Sequence, residues 1–121
     1  MSANEYLKQA ERNRKVADVL VSKGDPASLQ WAVTCLFYAG LHYVNAYHCA
    51  HIQGPLPSRH GDRRSRVSQY MQPVAKAYLW LKDHSEKARY DLAYPDPATV
   101  KKACCKLIMI QRFVSGSPPL R

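Results

Sequence analysis

Five side chains that can carry positive charge fall within eight positions: Arg59, His60, Arg63, Arg64 and Arg66. They lie where residues 52–62, IQGPLPSRHGD, run into RRSRVSQYM. A loop-to-helix junction of this kind can meet a phosphate with guanidinium forks and free backbone amides together. The plainer alternative is a solvated helix start whose arginines pair with the protein's own acids. Two further groups carry nitrogen chemistry. His42 follows Tyr38 by four residues, so the two share a helix face, and a buried histidine bonded to a neighbour competes there with a ligand role. His48 and His51, with Cys49 between them, have a spacing that can hold zinc, but no HExxH and no further ligand pair accompanies them. No metal and no cofactor is expected. A glycine-rich phosphate loop, a GxSxG elbow and paired carboxylates at acid/base spacing are all missing.

The elements that position these groups read as helices throughout. Residues 31–50, WAVTCLFYAGLHYVNAYHCA, contain no Asp, Glu, Lys or Arg and are apolar on every face. Such a helix is buried on several sides, with Tyr38, Leu41 and Val44 inside. Its length also suits a membrane span of about twenty residues, but Asn45, His42, His48, the tyrosine hydroxyls and the thiols fit a protein interior better. Before it, apolar positions at helical spacing predict a helix over 3–23, ended by Gly24. Asp25-Pro26 then supplies an N-cap and a first-turn proline, and so short a turn implies antiparallel packing.

Asp62 is placed to cap a third helix over about 63–71. Pro73 opens a fourth, about 74–92, whose inward stripe is Val74, Ala77, Tyr78, Leu81, Ser85, Ala88 and Leu92. Trp80 lies off that stripe, free to cover another helix or a second subunit. Asp96-Pro97 repeats the cap-and-proline device and opens a last helix to about Ser115, stopped by Gly116. Nothing alternates with period two. The expectation is one all-α domain over 1–115, a four- to five-helix up-and-down antiparallel bundle, with a disordered tail over 116–121.

The chain has 121 residues, 18 Lys and Arg against 9 Asp and Glu, and a formal net charge of +9. The length supports a core without staples. The charge favours a polyanionic partner. Residues 1–10 are polar and lack an apolar core, so no signal peptide is expected, and four cysteines without CxxC spacing read as buried free thiols of a cytoplasmic protein.

FYAGLHYVNAY on the central helix, His60-Gly-Asp-Arg63 after it, and SEKARYDL on the late helix together resemble HEPN domains, over about residues 6–114. The resemblance implies a small helical bundle of bacterial or archaeal defence and toxin–antitoxin systems. It also implies a homodimer with a composite cleft and, in some members, a nucleotidyltransferase-type partner protein. Active members are metal-independent endoribonucleases with an arginine followed four to six residues later by histidine. This chain departs from that pattern, for Arg89-Tyr-Asp-Leu-Ala-Tyr94 has tyrosine in the histidine position. Tyrosine titrates near 10 and is a worse base at neutral pH.

Three functions follow. The first is a binding module that holds RNA or a nucleotide in a cleft lined by His60, Arg63, Arg64, Arg89 and Tyr90, with Tyr38 and His42 on the central helix. The second is a ribonuclease using Arg89 with His60 or Tyr94. The third is an oligomeric scaffold or partner-docking protein. The first two need His60, Arg63 and Arg89 to converge, and the third does not. For Arg89 the competing role is an ion pair with Asp83, Glu86 or Asp91.

Overall fold

Ser2 accepts a hydrogen bond from the Glu5 amide at 3.2 Å and starts α1, Ala3–Lys23. Gly24 ends it in the left-handed conformation, φ 74°, where a residue with a Cβ would be strained. One residue later Asp25 accepts from the Ser28 amide at 3.1 Å, and with Pro26 it opens α2, Pro26–His51. The computed structural model describes residues 1–91 and 94–116. The remaining helices are α3, His60–Tyr70; α4, Gln72–Tyr90; and α5, Pro97–Gly116. Among the described residues there is no strand, and no helix is long and apolar enough to cross a membrane.

α2 is the central element, in contact with α1, α4 and α5. Tyr6 stacks on His42 while Met1 lies against Cys49, so α1 and α2 run antiparallel. Leu36, Phe37, Tyr43 and Val44 of α2 are almost fully buried, with Tyr78 and Leu81 of α4 and Leu107 and Ile110 of α5. Burial stabilises by about 1.5–3 kcal/mol for each large apolar side chain, which offsets the cost of ordering the helices. Gly40 marks the closest approach: a Cβ there would stand 3.4 Å from Ile110 Cδ1 and 3.5 Å from Leu81 Cδ1.

Several expectations are corrected. Tyr38, expected inside, is 36% exposed and Trp31 is exposed, because α2 keeps one open stripe that neither α1 nor α4 covers. α3 begins at His60 with Arg59 at the cap position, and Asp62 sits in its first turn instead of capping it. A carboxylate there still faces the positive end of the helix dipole. Cys49 and Cys105 are exposed, and only Cys35 and Cys104 are partly buried. Trp80 packs on the core, stacks on His84 at 3.7 Å between centroids and lies under Lys102 Nζ. Of the two roles expected for it, covering another helix is the one these contacts supply. Gly116 belongs to α5. Leu92 of the inward stripe, and the tail beyond Gly116, lie outside the described residues.

Candidate functional site

The site candidates meet at the corner where α3 packs beside α2 and α4. Asn45 is a lone amide in the apolar run of α2, 6% exposed, and its side chain needs a buried partner. That partner is Arg63 of α3, whose Nε donates to Asn45 Oδ1 at 3.4 Å. Arg63 Nη2 donates to the Pro57 carbonyl at 3.0 Å, and Nη1 lies 3.3 Å from His60 Nδ1. The residue is only 9% exposed. Arg63 thus buries a permanent cation among neutral acceptors.

An arginine can only donate, so His60 Nδ1 is the acceptor and its neutral ring carries the proton on Nε2. The imidazole packs on Phe37, with centroids 6.1 Å apart. Desolvation, then the cations Arg63, Lys82 and Arg89, push His60 below the ordinary imidazole range, with Glu86 opposing. His60 is therefore neutral at physiological pH, an exposed residue whose remaining ring donor is Nε2–H.

Arg89 comes from the last turn of α4. Its Nη1 donates to the Tyr38 hydroxyl at 3.2 Å, and its Cζ lies 5.5 Å from the Tyr38 ring and 5.2 Å from the Tyr90 ring. Its Nε is buried without a partner. The ion pair expected with Asp83, Glu86 or Asp91 is not made. Glu86 instead pairs with Lys82 one turn back at 2.7 Å, the one ion pair among the described residues. Both arginines of the corner are left without a carboxylate.

The corner gathers His60, Arg63, Arg89, Tyr38 and Tyr90. It does not gather the other candidates. Arg64 is exposed on α3. Tyr94 is 59% exposed and takes no part in the Arg89 contacts. His42 shares the Tyr38 face as expected, but its ring stacks on Tyr6 with centroids 6.1 Å apart, and burial followed by Arg63 lowers its pKa. His48 is 2% exposed with both ring nitrogens unpartnered, and burial followed by Arg66 keeps it neutral. His51 stacks on Tyr47 at 4.2 Å. Among the described residues no group of three or more His, Cys, Asp or Glu could hold a metal ion.

Three contributors were missed in the sequence, Phe37, Asn45 and Lys82, and Glu86 entered only as a candidate partner of Arg89. Two signals were available. An amide inside an uncharged helix asks for a buried polar partner. Lys82, Glu86 and Arg89, at spacings of four and three, share one face of α4. Comparison with family models, with curated proteins and with solved structures finds no match for this chain.

Proposed function

We propose that this chain is a HEPN-like binding module that holds RNA or a nucleotide through phosphate at the α2–α3–α4 corner. The observation that carries the reading is the charge imbalance there. Arg63 and Arg89 flank His60 and neither meets a carboxylate, although Asp83 and Glu86 stand on α4 and Asp91 follows at its C-cap. A buried cation such as Arg63, if needed only for stability, would be paired, because an unpaired buried charge is expensive, and the half-buried Arg89 is likewise left without an acid. A phosphate would accept from Arg89 and from His60 Nε2–H, and the exposed Arg59 and Arg64 extend the positive field. The wider reading, a cytoplasmic homodimer of a defence or toxin–antitoxin system with a nucleotidyltransferase-type partner, rests on the HEPN resemblance.

The ribonuclease alternative is less well supported by the same geometry. A general base needs a free lone pair facing the 2′-hydroxyl. The single lone pair of neutral His60 faces Arg63, and among the described residues the rings over Arg89 are Tyr38 and Tyr90, not Tyr94. The test is to titrate a short RNA in rising salt, without metal, scoring retention and cleavage together. Retention without cleavage, falling linearly in log affinity against log salt, is expected. Affinity insensitive to salt would overturn the phosphate reading. Cleavage whose rate rises through about pH 6 to 7 would restore the enzyme.

A further inference from the structure

Tyr90 is 74% exposed, yet it is not idle. It and Tyr38 hold the Arg89 guanidinium between them, each ring centroid within 5.5 Å of Cζ. One cation covers one face of a ring, so the other face of Tyr90 is open to a planar partner. Tyr90 also forms a wall of a shallow groove of about 370 Å³ with Asp83, Glu86, Lys87 and Asp91. Three carboxylates against one lysine make this groove unfavourable for a phosphate backbone. Arg89 and the Arg63–His60 pair lie outside its walls.

A polyanion engaging Arg89 must therefore place its phosphate on the arginine and turn some uncharged part onto Tyr90. A nucleobase is such a part, and stacking on an aromatic side chain is how sequence-tolerant single-strand binders hold it. In a duplex the base faces are covered by their neighbours and cannot reach the ring. We infer that the corner recognises single-stranded RNA, with one base stacked on Tyr90 and the adjacent phosphate on Arg89. The inference rests on the phosphate-binding reading above and names the form of nucleic acid that this site takes.

The experiment is fluorescence anisotropy at one salt concentration with three probes: a short single-stranded RNA, the same sequence as a duplex, and an abasic strand of equal length. Each is titrated with the wild-type protein, Tyr90→Ala and Tyr90→Phe. The single strand should bind about tenfold or more tighter than the duplex, and Tyr90→Ala should weaken it by roughly 5- to 100-fold, the range for losing one stacked base. Tyr90→Phe should retain the affinity, and the abasic strand should bind weakly and be indifferent to Tyr90→Ala. Duplex binding as tight as single-strand binding, or a single-strand affinity unchanged by Tyr90→Ala, would overturn the stacking inference while the salt-dependent phosphate reading stood. Failure of all three probes to bind would overturn both.

Discussion

Two seams of this bundle treat their polar groups in opposite ways. Where α1 meets α2 and α5, the Tyr43 hydroxyl bonds to Glu11 and Arg14 donates to Gln111, so a cation and an anion both find partners across helices. Tyr43 is 2% exposed, and burial together with the Glu11 carboxylate pushes its hydroxyl far above the ordinary range. It stays protonated at physiological pH and, as a donor to Glu11, ties α2 to α1. At the α2–α3–α4 corner, Arg63 has neutral acceptors only, Arg89 has aromatic rings and a hydroxyl, and Arg89 Nε has no partner. The contrast lies in charge: the cation and the anion of the first seam are matched within the fold, although His42 Nδ1 there has no partner, whereas the second seam is left with positive charge and the unpartnered Arg89 Nε.

Substitution should separate the seams. The largest effect is expected from Tyr43→Ala, which empties a fully buried aromatic site and should destabilise by about 3–5 kcal/mol in denaturant titration. Loss of the Glu11 bond adds to this, so a cost under about 1 kcal/mol would show that the first seam does not hold the fold. Arg63→Met comes next. It strips the donor from Asn45 and from the Pro57 carbonyl and should cost about 1–3 kcal/mol. An unchanged or raised stability would mean that burying the unpaired cation had cost as much as its hydrogen bonds returned. Arg89→Ala should cost less than about 1 kcal/mol, since cation–π contacts at exposed sites are worth that much or less, while reducing RNA affinity strongly. Unfolding by Arg89→Ala would make it a structural residue and dissolve the contrast.

Acid should act on the fold through histidine. His42, His48 and His60 all have folded-state values lowered chiefly by burial, so the unfolded chain binds their protons more readily. The stability they contribute is present above about pH 6.5, the ordinary imidazole value, and is lost as pH falls through the lower folded values. Thermal melting should show that decline, reduced in His48→Gln because His48 is the most buried of the three. A melting temperature flat from pH 7 to 5 would contradict it.

Much of the architecture was legible in the sequence because its signals are local. Gly24, Asp25-Pro26 and Asp96-Pro97 act within their own turns, and the Thr99 amide does bond to Asp96 at 2.7 Å. The start of α3 was not legible, because Gly61 and the prolines before it read as loop while no side chain caps the helix. The corner was legible only as a set of residue types. Arg63 looks like its neighbour Arg64 in the sequence, yet one is buried and the other exposed, which is decided by Asn45 eighteen residues away. Arg89 had Asp83 and Glu86 on its own helix and Asp91 at the C-cap, and tertiary packing against Tyr38 drew it elsewhere. Those distinctions change the experiment: reversing Arg63 would damage the fold, whereas Arg64 and Arg89 can be altered without emptying a buried position.

The most direct measurement compares two charge reversals that change net charge equally. Arg64→Glu/Arg89→Glu alters Arg89 of the corner and the exposed Arg64 on the adjoining α3, and Lys8→Glu/Lys15→Glu alters exposed positions of α1. Affinity for a short single-stranded RNA is read across a salt series for both and for the wild type. The account predicts that the corner variant loses at least tenfold more affinity than the α1 variant, and that the slope of log affinity against log salt falls by about one per phosphate contact removed. Equal losses and equal slopes in the two variants would contradict it, because the attraction would then be diffuse charge with no site at the corner.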